Sequence, residues 1–221
     1  MTRPLTDLIQ VHDPAWPQVQ GVLGTSAVPV EVLPATPEHA SGALLFTQVT
    51  LRSPLGALVF HSAGLLVDHG WLRLRGAGGH PRCQRGFQNA NPHPGRGYAV
   101  VADDVLGGQF ALNGGAFGPD PGRVSYLAPD LLAWEPLGMG YTDFLEWMTS
   151  AGALAQFYAT VRWLGWEQDC ARMSGDEGVL VYPFLWAQGP SVSERQRDVV
   201  PFEELLGLQA GFVDQLGHPP L

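Results

Sequence analysis

The period of the apolar residues changes twice along the chain. Up to residue 50 it is helical. Trp16, Val19 and Leu23 share one face behind Asp13 and Pro14, with Asp13 as the expected cap. Thr36, Pro37 and Glu38 open a second helix that Ala43, Leu44 and Thr47 continue. Between the two, VPVEVLPA (28–35) is extended and stops at Pro34. From residue 55 short apolar runs are cut by glycine. LGALVFHS (55–62), GLLVDHG (64–70) and WLRLRG (71–76) predict an antiparallel meander, with turns at Ser62-Ala63-Gly64 and His69-Gly70. Alternation of Trp71, Leu72 and Leu74 with Arg73 and Arg75 predicts a half-buried strand.

Residues 76–96 carry glycine, proline and arginine without periodicity, and are expected to be the least ordered internal segment. Strands resume at 97–104, 107–114 and 122–129, with LAWEPLG (132–138) as a short edge strand. The glycine pairs 107–108 and 114–115 and GPDPG (118–122) supply turns. After 139 the spacing of Tyr141, Phe144, Leu145 and Met148, then of Leu154, Phe157, Tyr158 and Val161, is helical again. GVLVYPFLW (178–186) predicts one more extended segment and residues 200–216 a last helix. This order predicts an α+β fold, a mainly antiparallel sheet flanked by N- and C-terminal helices, in one domain over 1–221.

Charge narrows the function classes. All twelve basic residues are arginine, the chain has no lysine, and the formal net charge is −9. That argues against nucleic acid and anionic membranes as partners and favours a basic protein. Without lysine, Schiff-base and P-loop lysine chemistry is excluded. The first residues lack a signal-peptide core and no stretch reaches the length of a membrane span, so a cytoplasmic protein is expected. Cys83 and Cys170, eighty-seven residues apart, are expected to be free.

Two resemblances bear on function. DPAWPQVQ (13–20), VEVLPA (30–35), the run 52–74, VADDVLGGQFALNGG (101–115), the run 128–147, FYATVRWLGWEQD (157–169) and VYPFLW (181–186) occur in one order. Together they resemble a bacterial family known only as domain of unknown function 2625, which brings no activity with it. The block from Tyr98 to Trp147 also resembles the core of the SUKH (Smi/Knr-like) immunity superfamily. The matching residues are Asp103, Asp104, Gly107, Gly108, Phe110, Leu112, Tyr126, Trp134, Phe144 and Leu145. That second resemblance implies a protein-binding role, in many bacterial members the neutralisation of a toxin.

Candidate residues follow. Asp103-Asp104 beside a Gly-Gly turn reads as turn capping, as surface acids facing a basic partner, or as a metal-holding or acid–base pair; adjacent strand residues point to opposite faces, so a shared ligand is disfavoured. Trp163 and Trp166 flank the Gly165 break, where an exposed tryptophan anchors a partner if it is not simply packed. Asp68-His69 has the form of a carboxylate–imidazole couple, but no G-x-S-x-G supplies a nucleophile. His80, Cys83 and His93 fall short of a zinc set. No cofactor, metal or catalytic set is therefore expected. The leading expectation is a non-catalytic protein-binding domain of immunity type, with binding residues Asp103, Asp104, Trp163, Trp166 and His69. The alternatives are a hydrolase-like enzyme using the Asp68-His69 region, and a small-molecule-binding protein.

Overall fold

A computed structural model of the protein describes residues 2–93 and 95–216. Its first part is helical, with α1 (Leu5–Ile9), α2 (Trp16–Gly24), β1 (Val30–Leu33), α3 (Pro37–Thr47) and α4 (Pro54–His61). The sheet continues with β2 (Gly64–Val67), β3 (Leu72–Arg75), the one-turn helix α5 (Phe87–Ala90), β4 (Tyr98–Asp104), β5 (Gln109–Asn113), β6 (Arg123–Ala128) and β7 (Ala133–Gly140). Then come α6 (Tyr141–Met148), α7 (Ala151–Phe157), α8 (Trp166–Arg172), β8 (Glu177–Tyr182), β9 (Gln196–Pro201) and α9 (Phe202–Leu216). The fold is α+β: β1 to β7 form one antiparallel sheet in sequence order, and β8 and β9 form a separate hairpin sheet. No helix among the described residues is long and apolar enough to cross a membrane.

Several local expectations hold for the reasons given. Thr36 caps α3 by accepting from His39 N at 3.3 Å, with Pro37 at the first helical position. Asp68, His69 and Gly70 have positive φ in the β2–β3 turn, where Gly70 N donates to Val67 O at 3.1 Å. Other expectations are corrected. Residues 55–62 are not a strand. Ser53 caps a helix there, Pro54 starts it, and Leu55, Leu58 and Val59 are buried along with Ala57 between them. An apolar run buried on every side carries no readable period. Asp13 does not cap α2: it has φ 56°, and Ala15 precedes the helix, with Pro17 in its first turn.

The meander has two unlike faces. Leu65, Val67, Leu72, Leu74, Ala102, Phe110 and Tyr126 belong to the main apolar core, which reaches from Val19 to Val192. Phe110 lies 5.0 Å from Phe144 of α6, ring centre to ring centre. The opposite face of β3 carries Arg73 and Arg75, and both are fully buried rather than facing solvent. The segment 76–91 and the unit β8–β9–α9 cover them. Residues 76–91 of the segment expected to be least ordered are fastened. Gln84 N and Arg85 N donate to the Asp176 carboxylate at 2.6 and 2.8 Å, and Asn91 pairs with the backbone N and O of Val100, each at 2.8 Å.

Candidate functional site

The acidic pair of β4 is interior. Asp103 is 1% exposed and Asp104 is completely buried, so neither is a surface acid available to steer a partner. The two point to opposite faces of the sheet, as strand geometry requires. Asp103 lies opposite Arg73 in the β3–β4 register, and three guanidinium groups converge on it. Arg75 Nε donates at 2.6 Å, with its Nη2 also against the carboxylate; Arg85 Nη1 stands at 3.4 Å and Arg73 Nη1 at 3.5 Å. The ring of Phe202 closes over the cluster, 4.8 Å from the Arg85 guanidinium, 5.4 Å from that of Arg73 and 5.7 Å from that of Arg75. Spare donors go to main-chain oxygens: Arg75 Nη1 to Arg85 O at 3.1 Å and Gly175 O at 3.2 Å, and Arg73 Nη2 to Glu177 O. Arg85 Nε donates to Glu203 of α9 at 2.6 Å.

Asp104 closes the β4–β5 turn. Its Oδ1 accepts from Leu106 N and Gly108 N, both at 2.9 Å, and its Oδ2 from the hydroxyls of Tyr126 at 2.7 Å and Tyr158 at 3.1 Å. Burial pushes its pKa above the usual carboxylate range, against the pull of these four donors. Burial also raises both tyrosines well above their ordinary value, with the Asp104 charge adding to it. Gly108 is required here, since a Cβ would stand 2.3 Å from both Asp104 Oδ2 and the Tyr126 hydroxyl. The capping reading of this aspartate is the one its geometry matches.

The Asp68-His69 couple does not form. Asp68 is paired with Arg162, whose guanidinium lies 3.9 Å over Trp166 and 5.0 Å over Trp71. His69 is exposed, with its ring edge-on to Trp166 at 5.9 Å, and among the described residues no hydrogen bond joins it to Asp68. Cys83 and Cys170 are free and buried, and burial raises both thiols, Cys170 to about 12. Among the described residues no three His, Cys, Asp or Glu side chains are placed to hold a metal ion.

Trp163 is 3% exposed, held by its Nε1–H donating to Asp169 at 2.8 Å, and Trp166 is half-buried. The exposed apolar residue of this turn is Leu164, at 97%. Neither tryptophan projects as an anchor. Instead Trp163 forms the floor of a groove of about 590 Å³ between α8 and β9, together with Met173 and Val179. Asp169, Arg172, Glu177, Arg195, Arg197 and Asp198 line its sides. The Arg197 guanidinium lies 5.2 Å over the Trp163 ring and Val199 stands 55% exposed at the rim. A hollow of equal volume beside α2, lined by Gln18, Thr25 and Glu146, has no aromatic residue. Sequence reasoning found Trp163 but missed β9, because QRDVVP has no apolar alternation.

The molecule is thus an α+β protein whose seven-stranded antiparallel meander encloses two polar clusters and leaves a charged groove at its C-terminal hairpin. The chain belongs to the family described as protein of unknown function DUF2625, whose model matches residues 5–205. It is 44% identical over 210 residues to the uncharacterised protein YbfG of Escherichia coli (strain K12), covering 94% of this chain and 95% of that one. It is 30% identical over 220 residues to an uncharacterised protein of Haemophilus influenzae (strain ATCC 51907 / DSM 11121 / KW20 / Rd), covering 96% and 94%. No solved structure matches it.

Proposed function

We propose that this protein is a non-catalytic binding domain that recognises another protein through the groove of Trp163, α8 and β9. The observation that carries the reading is the groove itself, an aromatic-floored trough with charged side chains from three elements, α8, β8 and β9. The groups suited to acid–base or nucleophilic work add support by their engagement elsewhere. Asp103, Asp104 and Asp68 are spent on internal partners, and both thiols are buried. The net charge of −9 favours a partner that is basic as a whole. The SUKH resemblance of residues 98–147 makes an immunity-type role, holding a toxin-like protein in the cytoplasm, the particular form we favour.

The test places a photo-reactive benzoylphenylalanine at position 164, the exposed neighbour of Trp163. Amine cross-linkers are poorly suited, since the chain has no lysine. The expected result is one dominant adduct with a single other protein in cells that make this chain. The reading is overturned by the lack of any adduct. It is equally overturned if the purified protein turns over an ester or amide substrate and loses that turnover in His69→Ala.

A further inference from the structure

The hydrogen bonds of the β8–β9 hairpin define which way each residue of β9 faces. Phe202 N donates to Asp176 O at 2.8 Å. The register then makes Gly178–Val200, Leu180–Asp198 and Tyr182–Gln196 the hydrogen-bonded pairs. The odd-numbered residues point the other way. On the β8 side this is directly visible, since Val179 N donates to Val105 O at 2.7 Å. On the β9 side the N–H and C=O groups of Arg197 and Val199 point outward, and among the described residues neither N–H nor C=O has a hydrogen-bond partner. The open row is short. Pro201, without an N–H, ends it on one side, and Arg195 N is used by Val192 O on the other.

This open edge borders the groove. Val199 faces Val179 across the hairpin and Arg197 faces Val181, so their side chains share the face that carries the groove floor. The groove carries three carboxylates, of Asp169, Glu177 and Asp198, and three guanidinium groups, of Arg172, Arg195 and Arg197. Asp169, Glu177 and Asp198 each accept from a neutral donor, Trp163 Nε1, Ser174 N and Gln196 Nε2, and Arg195 and Arg197 donate to main-chain oxygens, whereas Arg172 is exposed and has no partner among the described residues.

We propose that β9 takes up an extended segment of the partner protein as an added strand, with an apolar side chain seated against Val199 in the groove and an acidic side chain reaching Arg172. This rests on the protein-binding reading above and specifies how the partner docks. A second copy of this chain is a poor occupant. An antiparallel β9–β9 pair that joins the outward groups of Arg197 and Val199 places Asp198 directly opposite Asp198, and like charges directly opposite destabilise a ladder.

The test uses the full-length chain and a phage-displayed library of random heptapeptides. Selected peptides are expected to alternate apolar and polar residues, to carry Asp or Glu, and to lack central proline. N-methylation of the central amides of a selected peptide is expected to weaken binding at least ten-fold. Val199→Pro, which removes an N–H that the hairpin ladder does not use, is expected to do the same with an unchanged melting temperature, and Arg172→Glu likewise. Amide exchange at Arg197 and Val199 is fast in the free protein and slows at least ten-fold with peptide bound. A peptide indifferent both to N-methylation and to Val199→Pro overturns strand addition and leaves the wider reading intact. So does a library that yields no binder, unless the photo-cross-link at position 164 is empty too, in which case the wider reading falls with it. A free protein that sediments as a dimer, with both amides already protected, assigns the edge to a second copy and also overturns the proposal.

Discussion

Asp103 shows how far a single residue's meaning depends on what lies across the sheet. Its position beside Asp104 is plain in the sequence, but its neutralisation by Arg73, Arg75 and Arg85 is not, because Arg85 arrives from an irregular segment and Phe202 from a helix a hundred residues away. Removing one member of a buried ionic cluster leaves the others unpaired in a low dielectric. Asp103→Ala is therefore expected to lose about 3–5 kcal/mol of stability in urea unfolding; a loss below about 1 kcal/mol would mean that the cluster is hydrated. The thiols give a pH test with a definite sign. Cys170 ionises only near pH 12 in the folded chain, while an unfolded thiol ionises near about 8.5. Between these values the unfolded state holds fewer protons, so stability falls as pH rises. Wild type is expected to lose about 1 kcal/mol more than Cys170→Ala between about pH 8.5 and 9.5.

The elements that announced themselves were those with a cap, a proline or a strict period. α3 was legible from Thr36 and Pro37, and β3 from the alternation of WLRLR. α4 was missed despite its own cap and proline, Ser53 and Pro54, because an apolar run buried on every side looks the same as a strand or a helix. The alternation in β3 was likewise true of the strand and misleading about exposure, because the arginine face is covered by a unit distant in sequence. That cover depends on Phe202, which is completely buried at the start of α9. Phe202→Ala is expected to cost about 3–5 kcal/mol and to speed amide exchange through residues 84–87, read by hydrogen-exchange mass spectrometry. Unchanged exchange there would mean that the hydrogen bonds to Asp176 and to the neighbouring backbone hold the segment without Phe202.

At the scale of the molecule, charge acts over distance while the groove acts on contact. With Asp103 and Asp104 buried, steering by the net charge of −9 falls to the exposed acids as a set. Association with a basic partner is accordingly expected to slow as salt rises, because exposed charges are screened beyond about 8 Å at physiological ionic strength. Stopped-flow mixing over a salt series reads this, and a flat profile would remove the steering argument without touching the groove. The central claim, that the groove beside β9 is where this protein works, is tested most directly by the affinity of the cross-linked partner for Val199→Asp. The account predicts at least ten-fold weaker binding than wild type at an unchanged melting temperature, since Val199 is exposed at the rim and contributes little to the core. Equal affinity for the two chains would contradict it.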